Sequence, residues 1–361
     1  MQDSRNPSKI VVAMSGGIDS SAVACMLKEK GMEVIGLTFI RIDAPSEVDA
    51  EGLSDEAKAA KQVADQLGIQ HIVLNLHDLY SDKVLSRAWQ EYSTGRTPNP
   101  CVLCNRNLKF GFLVKYATEN LGADGLATGH YAKLSVSDSS EVFLRRGEDT
   151  TKDQTYFLAQ TKKEDLARAY FPLGSMIKKD VREYAKKMRL ATADRKESQD
   201  VCFNTTGLRF GSFLESFFDK KTVPGDIVDE EGNVLGRHEG IHTFTVGQRR
   251  GIGIASGKPI YVKAVDADTN RVIVTDNPDR LLSRTVVAEE LNWLMPPEKL
   301  PERVTAKIRY AHKPSPATVE HTGNSIKLVF DEPQRAITPG QLLVVYDSDR
   351  VAVSGFISHT E

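Results

Sequence analysis

The chain lacks any apolar run close to the ~20 residues that a membrane-spanning helix requires. Its early apolar string, "IVVAM" (10–14), is short and leads straight into a Gly-rich turn, so a secretory leader is not expected. Only 4 cysteines occur in 361 residues. That is too few for a disulfide framework, and a reducing cytoplasm is the expected compartment. Neither sign of charge dominates: 47 Lys and Arg face 49 Asp and Glu, for a net charge of -2. A nucleic-acid partner would therefore have to meet a local basic surface. No repeat and no low-complexity tract interrupts the chain. No lysine follows Gly17 in the Walker position, which argues against ordinary γ-phosphate transfer.

The composition that remains is that of a soluble globular protein, with 40% hydrophobic and 27% charged residues. The length accommodates two or three domains. Strand and helix patterns alternate at first: "KIVVAM" (9–14) and "EVIGLTFI" (33–40) read as buried strands. Between them, Ala22, Val23, Met26 and Leu27 share one helical face, and Gly31 ends it. Cys25 sits among these and reads as a core residue. A second helix is expected over 54–68, with Ser54 as cap and Gly68 as stop. Such alternation predicts a doubly wound parallel sheet, with ligands at the carboxyl ends of the strands. Beyond about 205 the pattern changes to short β-rich runs separated by turns such as "DADTN" and "HTGN". A small connecting domain and a C-terminal antiparallel β-barrel are expected there, with boundaries at 1–205, 206–257 and 258–361.

"SGGIDSS" (15–21) falls at the end of the first strand. Gly16 and Gly17 permit a tight turn and close approach to a ligand. The helix that follows offers N–H groups and the positive end of its dipole to phosphate. A plain strand-to-helix turn fits the same spacing. The pattern S-G-G-x-D-S resembles the pyrophosphate loop of the N-type ATP pyrophosphatases, which adenylate a carbonyl-type oxygen and release pyrophosphate. The resemblance assigns ATP to Ala13, Met14, Ser15, Gly16, Gly17, Ile18, Asp19 and Ser20.

"CVLCNRNLKFG" begins at Cys101 and carries two cysteines three residues apart. Cys202 follows in "ESQDVCF". A C-x-x-C pair serves a metal site, a redox couple or a nucleophile; a zinc site would need two further ligands, and no second C-x-x-C exists. Together with "GRTPNP", "ATGHY" (127–131), "TTKDQTYFL" (150–158), "GQRRGIGI" (247–254), "IRYAH" (308–312) and "TPGQ" (338–341), the cysteines resemble the tRNA-specific 2-thiouridylases, in register from Ser15 to Gln341. That family thiolates C2 of the wobble uridine.

The resemblance implies a tRNA-uridine 2-sulfurtransferase that uses ATP and Mg²⁺. Cys202 would carry a persulfide, and Cys104 would attack it to release sulfur, passing through a disulfide. Phe39 and Gly129 would line the nucleotide pocket. Asn99, Pro100 and Cys101 would face the target base. His130, Lys152, Asp153, Gln154, Arg309, Tyr310 and Gln341 would contact tRNA. The anticodon loop, whose bases are already unpaired, makes extraction of one base cheaper. The expected partners are tRNA and a sulfur donor, either a cysteine desulfurase or a relay protein, acting on a monomer. The fold implied is a PP-loop ATPase-like sheet followed by the connecting domain and barrel.

One position departs from the pattern. Many members read N-P-D where this chain reads Asn99-Pro100-Cys101. Cys101, Cys104 and Cys202 make a three-thiolate set able to hold a [4Fe–4S] cluster with one open iron. Two other functions compete: an amide-forming synthetase of the same superfamily, and a zinc-stabilised RNA-binding module with a dead nucleotide loop. The cysteine trio opposes the first, and the complete "SGGIDS" opposes the second.

Overall fold

In the computed structural model, residues 5, 7–42, 53–137, 141–195 and 208–361 are described, and they divide into two compact units. One comprises the described residues of Met1–Val84 and Cys101–Thr205 with Asp349–Val351. The other comprises Leu85–Pro100, the described residues of Thr206–Ser348, and Ala352–Glu361.

The first unit is built on strands β1 (Lys9–Ala13), β2 (Glu33–Ile40), β3 (Gln70–Asn75) and β4 (Leu126–Ala127). A hairpin of β5 (Ala132–Val136) and β6 (Val142–Arg146) follows, and then β7 (Ala169–Tyr170). Five of these form a parallel sheet in the order β3-β2-β1-β4-β7. The central strand shows why its sequence is an unbroken apolar run: Ile10, Val11 and Val12 are fully buried, as both faces of a parallel sheet require. Each such side chain contributes roughly 1.5–3 kcal/mol by leaving water.

Helix α1 (Ile18–Glu29) packs Ala22, Val23 and Leu27 into this core. Cys25 is 2% exposed, as a core residue should be. Helix α2 (Asp55–Leu67) starts where Ser54 accepts the Ala57 N–H at 3.2 Å, and it ends on Gly68 at φ 59°. Both signals were legible.

The second unit holds a four-stranded sheet and a barrel. Strands β8 (Gly225–Val228), β9 (Val234–His238), β10 (Tyr261–Asp266) and β11 (Arg271–Thr275) pair in the order β10-β11-β8-β9. Thus the run 261–275, which reads in the sequence as the start of the C-terminal β region, hydrogen-bonds with β8. The remaining strands are β12 (Leu282–Trp293), β13 (Arg303–Lys307), β14 (Ser315–Thr322), β15 (Ser325–Arg335), β16 (Leu342–Asp347) and β17 (Arg350–His359). Their order β12-β15-β14-β13-β16-β17 closes through a β12–β17 pairing. Closure removes the edges that an open antiparallel sheet would expose. The barrel interior is filled by Val286, Ala306, Leu328, Phe330, Leu343 and Val353 among others.

Candidate active site

β1, β2 and β4 run parallel, so their carboxyl ends open on one edge of the sheet. The Gly-rich turn lies there. Gly16 takes φ 67°, and a Cβ on it would stand 2.4 Å from the Glu56 carbonyl oxygen. Only glycine fits both constraints. Gly17 begins α1 in an extended conformation, and no side chain caps the helix. The Ser20 and Ser21 hydroxyls instead donate back to the Gly17 carbonyl at 3.2 and 2.9 Å. Ser15 donates its N–H to Ser20 Oγ at 3.2 Å. The turn is thus tied from within, and the first turn of the helix keeps the positive end of its dipole for an anion.

Neighbouring strands brace the turn. Met14 donates its N–H to the Leu37 carbonyl at 2.8 Å, and its own carbonyl accepts the Thr38 hydroxyl at 2.7 Å. Ala13 closes β1 and Ile18 opens α1. Phe39 lies near the end of β2, 8% exposed, with the Arg41 guanidinium 5.5 Å from its ring centre. A Cβ on Gly129 would fall 2.9 Å from Asp19 Cβ and 3.0 Å from Ser20 N, so the segment after β4 approaches α1 as closely as a backbone can. The structure therefore gathers Ser15, Gly16, Gly17, Asp19, Ser20 and Gly129 around one helix start.

Asp19 is not a bare carboxylate. Lys178 Nζ donates to both its oxygens, at 2.7 and 2.8 Å, and the Tyr131 hydroxyl adds a bond at 2.8 Å. Lys178 is 8% exposed. A lysine is almost never buried to this degree unless paired. It opens the helix Lys178–Lys187, where its N–H donates to Asp149 Oδ2 at 3.0 Å. Hydrogen bonds from Thr151, Lys178 and Lys152 outweigh burial and hold the Asp149 carboxyl below its ordinary pKa. Arg195 also reaches the turn, donating to the Gly16 carbonyl at 2.9 Å. Lys178 and Arg195 carry no motif in the sequence, and Tyr131 ends "ATGHY" without any sign of its carboxylate partner. A Lys-Lys pair at a helix start looks like a solvated end, and only the fold shows that one of the two is buried.

Cys101 and Cys104 lie in a short helix, Pro100–Cys104, that continues into the wide π-helical segment Asn105–Phe112. Cys104 is buried and Cys101 partly exposed; neither is in a disulfide. A three-residue separation puts both on one helix face. Asn105 donates to the Phe157 carbonyl at 3.2 Å, while Arg106 donates to Gln160 Oε1 at 3.1 Å. Cys202 lies outside the described residues. Among the described residues no group of three or more His, Cys, Asp and Glu side chains comes together in a metal-holding arrangement.

The other expected contacts divide. His130 is 8% exposed, bonded through Nδ1 to the Thr128 hydroxyl at 2.7 Å and flanked by the rings of Phe110 and Phe171. Burial, reinforced by Lys109, pushes its pKa well below the ordinary value and keeps the imidazole neutral. Lys152, Asp153 and Gln154 lie between β6 and the helix Thr155–Leu158. Asp153 accepts from the Gly147 and Thr155 N–H groups and from the Thr155 hydroxyl. Gln154 and Tyr131 clasp each other, each accepting an N–H from the other at 3.0 Å.

In the second unit, Gln341 Nε2 donates to the carbonyls of Thr97 and Pro98, both at 3.1 Å. It thereby props the loop that leads into Asn99 and Pro100, both of which are buried. Arg309 and Tyr310 sit in the turn after β13 rather than on a strand. There Arg309 donates to the Ala336 carbonyl at 3.1 Å, and Tyr310 is 38% exposed.

Three family models match the chain in order: the tRNA methyl transferase HUP domain over 8–206, the tRNA methyl transferase PRC-barrel domain over 211–276, and the aminomethyltransferase beta-barrel domain over 283–357. Proteins named tRNA-specific 2-thiouridylase match nearly end to end. That of Trichormus variabilis is 43% identical over 97% of this chain and 98% of its own, and that of Carboxydothermus hydrogenoformans 44% identical over 97% of each. That of Aquifex aeolicus is 41% identical over 98% of this chain and 99% of its own. The chain belongs to the tRNA-specific 2-thiouridylase family. The sheet, the turn and the closed barrel agree with that membership, and no helix among the described residues is long and apolar enough to cross a membrane.

Proposed function

We infer that the protein is an ATP-dependent tRNA-uridine 2-sulfurtransferase acting on the wobble base in the cytoplasm as a monomer. The observation that carries this reading is the uncapped α1 start with its part-buried Asp19–Lys178 pair, in a chain of this family. ATP lies with its phosphates on the turn of Ser15, Gly16, Gly17 and Ser20, and Phe39 and Gly129 border the nucleotide. Mg²⁺ supplies charge neutralisation to the phosphates when bound.

Uracil O2 attacks the α-phosphorus, pyrophosphate leaves, and the base becomes an O-adenylate. A persulfide on Cys202, loaded by a cysteine desulfurase or a relay protein, is the sulfur source. The Cys104 thiolate attacks the inner sulfur of that persulfide and expels hydrosulfide, leaving a Cys104–Cys202 disulfide. Hydrosulfide adds at C2 and AMP departs. A dithiol reductant restores the two thiols. Asn99, Pro100 and Cys101 border the target base, and His130, Lys152, Asp153, Gln154, Arg309, Tyr310 and Gln341 border the tRNA; several of these act through the loops they hold.

A second route to the same product is supported by the one-face placement of Cys101 and Cys104. With Cys202 they would hold a [4Fe–4S] cluster, which supplies an open iron for sulfide. Iron content after anaerobic reconstitution separates the two routes.

The test of the reading is release of AMP and pyrophosphate from ATP with and without tRNA. Release that depends on tRNA is expected. Release that depends instead on ammonia and a carboxylic acid would establish the amide-forming alternative.

A further inference from the structure

We propose that a cavity in the second unit, bordered by Arg209 and Arg250, seats a backbone phosphate of the RNA strand away from the reacting base. The inference rests on the functional reading above for its ligand and on the local geometry for its place. The cavity has a volume of about 280 Å³, and Thr245, Gln248, His242 and Phe210 also line it.

The charges there are uncommitted. Among the described residues, neither Arg209, Arg249 nor Arg250 has an acidic partner. Elsewhere in the same unit, Arg87, Arg96 and Arg303 each hold a carboxylate. Two acids near the cavity wall in sequence are engaged: Glu91 with Arg87 and Arg96, and Glu215, from which His242 Nε2 stands 3.2 Å and to which the Thr222 hydroxyl donates at 2.7 Å. In a chain with a net charge of -2, the two unpaired guanidinium groups that border the cavity, one from a helix start and one from a loop, form a local anion-seeking site.

The site is also built in advance. Gly247 donates its N–H to the Val262 carbonyl at 2.8 Å, and Val262 returns a bond to the Gln248 carbonyl at 2.9 Å, pinning the basic loop to β10. The Gln248 side chain accepts the Thr245 N–H at 3.1 Å and donates to the Arg250 carbonyl at 3.0 Å. Gly251 takes φ 70°, and a Cβ there would stand 2.1 Å from Arg209 Nη2. Glycine thus lets the Arg209 guanidinium lie against the loop that carries Arg249 and Arg250. A guanidinium fork matches two phosphate oxygens, and fixing the loop beforehand lowers the entropy lost on binding.

The experiment is binding of unmodified tRNA to the full-length protein and to the Arg209→Ala/Arg250→Ala variant across a salt series. Both side chains are exposed, so the variant should keep its fold. The double variant should lose about 10-fold or more in affinity at low salt, and its plot of log K against log[salt] should be shallower by about 1–2. Its KM for tRNA should rise while kcat at saturating tRNA is kept. The Arg209→Lys/Arg250→Lys variant should restore the slope. A folded double variant that binds with the wild-type slope overturns the proposal, and so does a loss of affinity without a change of slope. If the wild-type protein binds tRNA but releases no AMP, the functional reading fails while the salt slope still decides the cavity.

Discussion

Lys178 Nζ lies 2.7 Å from one oxygen of Asp19 and 2.8 Å from the other, at the point where the Gly-rich turn becomes a helix. The carboxylate would otherwise oppose an incoming triphosphate. Held by a lysine and the Tyr131 hydroxyl, with Arg195 also at the turn, its negative charge is offset, so that a phosphate there would not meet a bare carboxylate. Lys178→Met should therefore slow tRNA-dependent pyrophosphate release by about 10²–10³-fold, the scale seen when one charge-stabilising donor is removed from a reacting centre. Single-turnover release with excess enzyme reads this directly. A rate within a factor of two of wild type would remove Lys178 from the phosphate site.

Gly129→Ala would place a methyl group 2.9 Å from Asp19 Cβ and 3.0 Å from Ser20 N. Those atoms belong to the first turn of α1, which cannot retreat without moving the turn. The variant should lose about 1–3 kcal/mol of stability and bind ATP more weakly. Denaturant unfolding and ATP titration measure the two effects. Unchanged ATP affinity would show that the segment after β4 does not shape the nucleotide site.

His130 ties stability to pH. Burial holds its folded-state pKa well below the 6.5 of a free imidazole. As pH falls, the unfolded chain takes the proton first. The stabilising contribution is therefore full above about pH 6.5 and is lost below it, at up to about 1.4 kcal/mol per pH unit. His130→Asn should flatten the fall in unfolding free energy between pH 7.5 and pH 5.5. His71, His238, His242 and His312, also shifted down by burial, leave a residual slope. An equal slope in wild type and variant would show that His130 takes up its proton alike in the folded and unfolded chain.

The architecture was written in the chain because its signals are local. Apolar runs marked β1 and β2, Ser54 and Gly68 marked the ends of α2, and "SGGIDSS" marked the turn. Pairings between distant residues were not legible. Nothing near "SMIKKD" says that Lys178 meets Asp19, and nothing in "TPGQ" says that Gln341 hydrogen-bonds to the carbonyls of Thr97 and Pro98. The switch to π-helical turns after Cys104 also lacks a sequence signal, since its apolar spacing suits an ordinary helix. The run 261–275 reads as one more β segment of the C-terminal region; only its pairing with β8 reveals which sheet it joins.

Gln341→Ala should cost about 1–2 kcal/mol of local stability by leaving two carbonyls of the Thr97–Pro98 loop without their donor. The effect should appear as faster hydrogen exchange in that loop and a higher KM for tRNA. A raised KM with unaltered exchange would instead mean that Gln341 touches the RNA directly.

The cysteines separate by chemistry. Cys104→Ser and Cys202→Ser should each abolish sulfur transfer while tRNA adenylation remains measurable. Cys25→Ser, a change in the core 2% exposed to solvent, should still thiolate. Cys101→Ala should keep activity on the persulfide route and lose both iron and activity on the cluster route. An active Cys202→Ser enzyme under persulfide-dependent conditions would remove its carrier role.

The central claim is that this protein replaces O2 of the wobble uridine in tRNA with sulfur. Mass analysis of nucleosides from unmodified tRNA, incubated with the protein, ATP, Mg²⁺ and a persulfide donor, tests it most directly. 2-Thiouridine is expected at the wobble position, dependent on ATP and absent with Asp19→Ala. Uridine left unmodified while ATP is consumed in the presence of tRNA would contradict it.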